Sequence, residues 1–151
     1  MNNTKYIGEK TEYLIIAELY KLDYIILKPL GDNLRYDLLL DTQYGFIKCQ
    51  CKTSRFNKNY IEFNTASNSS NTKKSYKTNY IGTCDYFLTF SQNLNSAYFY
   101  PVGIASTSTL RLRIEKTKNN QQNNVKYAEL FKLEYFSDYI KNSMSAKKEI
   151  F

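Results

Sequence analysis

The order of hydrophobic periodicities predicts a small α/β domain: a helix first, mixed strands between, and a second helical stripe near the end. Three observations carry that prediction. "GEKTEYLIIAELYKLD" repeats apolar residues at helical spacing, covering roughly residues 5–22. Several apolar or alternating runs of strand length follow, each bounded by turn residues. "AELFKLEYFSDYIKN" then returns to helical periodicity with an aromatic stripe, so a helix is expected over about residues 128–142. No repeat or linker interrupts this order, and 151 residues suffice for one domain with a real core, expected to span 1–151.

Taken in order, "YIILKPLGDN" reads as a short strand and a loop marked by Pro29 and Gly31. "LRYDLLLDTQYGFIKCQCKTSR", Leu34 to Arg55, reads as a hairpin, and "NYIEFNT" alternates as a further strand. "ASNSSNTKKSYKTN" is polar, basic and rich in turn formers, which predicts a mobile surface segment. "DYFLTF" and "AYFYPV" are apolar, aromatic strands joined by the turn "SQNLNS". "TLRLRIE" alternates Leu and Arg, and "KTKNNQQNNVK" after it is a polar loop.

Composition narrows the chemistry. A formal net charge of +7 makes a polyanion the first partner to consider. No apolar run approaches the roughly 20 residues of a membrane span, so no membrane partner is expected. The start "MNNTKYIGEK" lacks the basic-then-apolar layout of a signal peptide, and three cysteines without disulfide-like spacing fit a reducing cytosol, which together predict a cytoplasmic protein. The chain has no His, which excludes Ser-His and Cys-His catalysis, His general bases and His-containing zinc sites. "CQC" is a poor zinc site, because Cys84 is the only other thiol, and Cys49 and Cys51 read as buried small hydrophobes. Catalysis must therefore rest on Asp, Glu, Lys and Tyr, with an oxygen-loving metal such as Mg2+.

The hairpin places such residues together. Lys48, Gln50 and Lys52 share one strand face, and Ile47, Cys49 and Cys51 the other. A four-residue turn at "TQYG" pairs Asp41 with Phe46, Leu40 with Ile47 and Leu38 with Cys49, which is a consistent core face. The same register sets Asp37 opposite Gln50, with side-chain bases about 5 Å apart and Lys52 within reach. A slip by two residues preserves this polarity, and a slip by one turns the apolar set outward. Such a face can be a solvated strand surface; it can also hold a hard cation between a carboxylate and an amide oxygen. A nearby Lys can orient or deprotonate a water and offset charge developing on a phosphate. Glu9 and Glu12 of the first helix are the candidates for a further carboxylate.

Asp37, a hairpin turn, then Gln50-Cys51-Lys52 resembles the motif of the PD-(D/E)XK nuclease superfamily, in which an Asp is followed by Glu or Asp, any residue, and Lys. The resemblance extends to "GEKTEYLIIAELYKLDY", "PLGDNLRYDLLLD", "FIKCQCKTSR", "CDYFLTF", "YFYPV" and "LRLRIEKTKNNQQNNVKYAE", in the same order as in one branch of that superfamily. This branch contains an endonuclease encoded within a cyanobacterial group I intron. The resemblance covers about residues 5–130. It implies a restriction-endonuclease-like fold with a central mixed sheet flanked by helices. It also implies a metal-dependent, sequence-specific homing endonuclease that hydrolyses phosphodiesters of double-stranded DNA by in-line attack of water. By position, Glu12 is the helix carboxylate, Asp37 the central metal ligand, Lys52 the catalytic lysine, and the backbone carbonyl of Cys51 a further ligand. Gln50 departs from the usual acid, as it does across this branch, and removes one negative charge from the site. Mg2+ is the implied ion, with Ca2+ or Mn2+ as substitutes.

Other homing families do not fit: HNH and His-Cys box enzymes need His, "YIG" at Tyr6 and Tyr80 has no "GIY" before it, and no LAGLIDADG-like segment is present. If the domain cuts DNA, Arg55, Lys58, Lys73, Lys74 and Lys77 are candidate phosphate contacts, although a solvated basic loop has the same composition. Arg111 and Arg113 share the face of a strand suited to the major groove, and with Lys116, Lys118, Asn119, Asn120 and Gln121 form the candidate reading segment, about residues 105–127. One small domain carries one site while two strands must be cut. A homo-oligomer of even number is therefore expected, a tetramer by the resemblance, with the aromatic helix or its neighbouring strands at an interface. Two other readings stay open: a catalytically silent DNA-binding protein with the nuclease fold, which Gln50 keeps alive, and a structure-selective nuclease such as a junction resolvase.

Overall fold

The computed structural model describes residues 3–71, 74–106, 108–117 and 123–148. Helix α1 spans Thr4–Lys21 and begins at Asn3, whose side chain accepts from the Lys5 backbone N–H at 3.0 Å. Thr11, Ile15 and Leu19, spaced by four, form its buried face. Strands follow as β1 (Ile25–Leu27), β2 (Leu38–Thr42), β3 (Gly45–Thr53), β4 (Arg55–Asn57), β5 (Tyr60–Asn64), β6 (Ala66–Asn71), β7 (Lys74–Asn79), β8 (Tyr86–Ser91), β9 (Ser96–Pro101) and β10 (Thr109–Arg113), and helix α2 spans Phe136–Lys148.

The central sheet has the order β1-β2-β3-β8-β9 and is mixed: β3 and β8 run parallel, and the other neighbours antiparallel. Period-two alternation divides β8 and β9 between two cores. Leu88, Phe90, Ala97 and Phe99 pack with α1 and α2, while Phe87, Tyr98 and Tyr100 pack with Ile61, Phe63, Leu110 and Leu112 of a second sheet, β10-β5-β4. Burial on both faces explains why these two strands read as continuous apolar runs. Among the described residues, no helix is long and apolar enough to cross a membrane.

The β2–β3 register is the expected one: Leu38 lies beside Cys49, Leu40 beside Ile47 and Asp41 beside Phe46. Gly45 adopts φ of 106°, and the Thr42 hydroxyl donates to its carbonyl at 2.7 Å, which closes the turn.

Two elements differ from expectation. Residues 66–79 contain an ordered antiparallel hairpin, β6–β7, rather than a mobile segment. Its stability comes from the backbone ladder and from Arg35, which donates to the Asn79 carbonyl at 2.8 Å, so a polar composition concealed it. The expected helix over 128–142 is two 3-10 turns, Ala128–Phe131 and Leu133–Tyr135, before α2 begins at Phe136. Lys132 between them is extended and bridges to Tyr98 of β9. The aromatic stripe is core: the Phe136 ring lies 4.8 Å from those of Tyr86 and Phe99, and the Phe131 ring 4.7 Å from that of Tyr100.

Candidate nuclease site and nucleic-acid interface

Asp37 stands at the mouth of the β2–β3 hairpin, where its backbone N–H donates to the Cys49 carbonyl at 2.9 Å. Its Oδ2 accepts from the Gln50 amide at 2.5 Å and from the Cys51 backbone N–H at 2.7 Å. Among the described residues nothing donates to Oδ1, which leaves one carboxylate oxygen open. The pairing inferred from strand register is therefore present, with the amide nitrogen rather than its oxygen toward Asp37.

Lys52, two residues beyond Gln50, is held by a residue that the sequence reading missed. Its Nζ donates to the Tyr80 hydroxyl at 2.9 Å. Tyr80 is buried at 6% exposure, and the Arg35 guanidinium lies 4.5 Å from its ring centre. Arg35 also donates to the Thr78 and Asn79 carbonyls, so one arginine ties the β6–β7 hairpin to the wall of the site. Tyr80 lies outside the Leu34–Arg55 hairpin, and no spacing rule links Lys52 to a tyrosine 28 residues away.

Of the two helix carboxylates, Glu9 is exposed and Glu12 is partly buried. Glu12 forms an ion pair with Lys28, from the loop after β1. The Asp37 carboxyl is pushed above its usual range, first by burial, opposed by the Cys51 N–H, raised again by the Glu12 charge and lowered by Lys52 and Lys28. Glu12, Lys28 and Lys52 thus all act electrostatically on Asp37.

The donor set suits a hard divalent ion. A desolvated carboxylate beside a second carboxylate gains from a compact positive charge, and Asp37 Oδ1 is open to one. Gln50 contributes an oxygen only if its amide turns over. Among the described residues, no three Asp, Glu, Cys or His side chains gather where a metal could sit, as follows from an amide standing in the third acidic position. Burial pushes the Cys49 and Cys51 thiols well up and Cys84 to about 12, so in the metal-free protein all three stay protonated. A groove of about 580 Å³ opens elsewhere, between Phe46, Lys48, Ile81, Asp85 and Ser143, and none of the site residues lines it.

The second sheet carries the basic face. Arg55, Glu62 and Arg111 are cross-strand neighbours on β4, β5 and β10. Glu62 accepts from Arg55 Nε at 3.2 Å and Arg111 Nε at 2.9 Å, and Arg111, foremost, holds its carboxyl below the usual range. Leu110 and Leu112 are buried beneath, as the alternation requires, and the strand that carries Arg111 and Arg113 is one edge of a three-stranded sheet. Arg113 Nε donates to the Glu115 carbonyl, Lys58 lies in the exposed β4–β5 turn, and Lys77 and Lys116 are exposed. The Lys74 backbone belongs to β7, but its side chain, together with Lys73, Lys118, Asn119, Asn120 and Gln121, lies outside the described residues.

An Asp at a hairpin mouth, a lysine on the return strand and a helix carboxylate, carried on a mixed sheet with both helices on one face and a second sheet on the other, define a nuclease-type α/β domain. The sequence model of the PD-(D/E)XK endonuclease family matches residues 2–134, and the chain belongs to that family. Its fold is similar to a solved structure described as a bacterial homing endonuclease, I-Ssp6803I, with a TM-score of 0.75 and 22% identity over 97% of this chain and 99% of that one. No curated protein matches the chain in sequence. Nucleases of this family generally use divalent metals.

Proposed function

We propose that this endonuclease is a Mg2+-dependent, sequence-specific enzyme of the intron-homing kind, hydrolysing phosphodiesters of double-stranded DNA at a long target. The convergence of Glu12, Asp37, Gln50 and Lys52 on one hairpin mouth carries the reading. Likeness over nearly the whole chain to a homing endonuclease supports the homing role. Glu12 and Asp37 would hold the ion, with Gln50 Oε1 and the Cys51 carbonyl as neutral oxygen donors. A bound Mg2+ supplies Lewis-acid charge against the phosphate and lowers the pKa of a bound water. Lys52, kept in place by Tyr80, donates to the phosphate oxygen where charge develops, or holds the attacking water.

Arg111 and Arg113 on the second sheet, with Lys116 beyond, are the proposed reading face, and Arg55 beside them is a proposed phosphate grip. Lys58 and Lys77 are proposed phosphate grips. Because one domain has one site, an even homo-oligomer, a tetramer by resemblance, would cut both strands. Leu130 and Tyr135, 64% and 44% exposed beside the buried stripe, are the apolar residues there left to face another copy. Light scattering without DNA tests this, and a monomeric mass that persists on DNA would sink it. The three free thiols fit a cytoplasmic enzyme.

The competing reading, a silent DNA-binding protein, is favoured by the Gln50 amide donating to Asp37, which leaves two carboxylates where the family motif has a further acid. Incubation with long duplex DNA and Mg2+ separates the two. Discrete cleavage lost in Asp37→Asn supports the enzyme, and tight binding without cleavage across Mg2+, Mn2+ and flanking conditions supports the silent form. Preference for branched over intact duplex would instead indicate a junction nuclease.

A further inference from the structure

Lys28 stands 16 residues from Glu12 in sequence, yet their side chains form an ion pair at the edge of the site. The pair is uneven. The Glu12 side chain is 21% exposed, whereas that of Lys28 is 51% exposed. The carboxylate is therefore fixed on α1 while the ammonium reaches in from solvent on a flexible stem. Lys28 also lowers the Asp37 carboxyl, so its charge acts on both carboxylates. Lys52, the other cation nearby, is directed to Tyr80. Lys52 still acts on Asp37, more strongly than Lys28 does, but Lys28 is the cation that pairs with Glu12 and also reaches Asp37, the two carboxylates that would hold a divalent ion.

We propose that Lys28 is a built-in competitor of the metal: it neutralises Glu12 in the DNA-free protein and yields that carboxylate to the ion when a DNA phosphate draws the ammonium away. The inference rests on Glu12 and Asp37 being the metal-holding pair. A half-exposed ion pair is weak and screened by salt, so a divalent ion displaces it without disturbing the fold. The DNA backbone, with one negative charge on each phosphodiester, offers the freed ammonium a charge-assisted hydrogen bond within a dense array of negative charge. Metal and DNA then each strengthen the binding of the other, because they share the removal of one inhibitory contact. The device keeps the nuclease poorly charged with metal until DNA arrives.

The test is calorimetric titration with Ca2+, which binds such sites as a probe, on wild type, Lys28→Met, Lys28→Arg and Asp37→Asn, each without and with a mixed-sequence duplex. Circular dichroism first checks that each variant folds. Without DNA, Lys28→Met should bind Ca2+ about fivefold or more tightly than wild type, and Lys28→Arg should match wild type. With duplex, the gap between Lys28→Met and wild type should narrow. Unchanged or weaker Ca2+ binding by Lys28→Met, or a gap equally wide on DNA, would overturn the proposal. Loss of binding in Asp37→Asn alongside an unaffected Lys28→Met would leave the metal site standing and remove only the competition. Absence of Ca2+ binding in every form would remove both.

Discussion

Gln50→Glu restores the acid that the family motif carries, and its effect should reverse sign with metal. In the metal-free protein the substitution ends a 2.5 Å hydrogen bond to Asp37 and sets a second negative charge beside the first. Two unit charges about 4 Å apart repel by about 4 kcal/mol at an effective dielectric of 20. Losing a hydrogen bond to a charged acceptor adds about 1.5–3 kcal/mol. Water at this partly exposed position and proton uptake by the pair return much of that sum, leaving a net loss of about 2–4 kcal/mol at neutral pH. In a domain of this size each kcal/mol moves Tm by about 2–4 °C, so the variant should melt roughly 5–15 °C lower in EDTA. Divalent ion at 100 times its Kd contributes about 2.7 kcal/mol. Because the variant offers one more negative ligand, Ca2+ should raise its Tm more than that of wild type at equal concentration. Thermal melts by circular dichroism, with EDTA and across Ca2+, read both arms. A variant that melts like wild type in EDTA, or gains no more from Ca2+, would refute the placement of Gln50 beside Asp37 in the metal site.

Asp37→Asn should abolish cleavage, leave DNA affinity nearly intact, and change how stability depends on pH. Burial raises the folded-state pKa of Asp37 above its ordinary 3.8. The contribution of this group is therefore fully present below about 3.8 and lost as pH rises through the folded value. Without metal, Asp37→Asn should gain on wild type as pH climbs through that window, in denaturant midpoints; a pH-independent gap would contradict it. Lys52→Ala should slow cleavage by about 10²–10⁴-fold with binding kept. Tyr80→Phe, which removes only the hydroxyl that Lys52 meets at 2.9 Å, should slow it by about tenfold and shift the pH–rate profile, whereas a purely structural role would leave the profile in place. Arg111→Ala should lose about 1–3 kcal/mol of discrimination between preferred and random duplex. Lys77→Ala should weaken both alike and flatten the salt dependence, so equal losses for Arg111→Ala would demote it to a phosphate contact.

What the sequence made legible follows the range of the forces involved. The β2–β3 register could be read because a period of two and a tight turn leave little freedom: Leu38, Leu40, Ile47 and Cys49 must face the core together, and Asp37 then falls opposite Gln50. The β6–β7 hairpin was hidden because a backbone ladder and Arg35 hold it, with no apolar face to signal it. The turns at 128–135 imitate helical spacing because Ala128, Leu133 and Phe136 are all drawn to the core from a chain that rises in 3-10 steps. Tyr80 and Lys28 were out of reach for a different reason. Each meets its site residue across a loop whose path no local pattern specifies.

The same distinction bears on Gln50 itself. An acid beside Asp37 would depend on a bound cation for its stability, since Asp37 is already desolvated and already feels Glu12. The amide instead gives Oδ2 a donor from within the hairpin, the Cys51 N–H gives it a second, and Lys28 neutralises Glu12 from the far side. Each carboxylate thereby has a partner from the chain's own groups while Asp37 Oδ1 stays open, and on the proposed reading an ion must displace Lys28 to reach Glu12. Weaker ion binding in the DNA-free protein is the expected consequence of that reading, relieved when DNA draws Lys28 away.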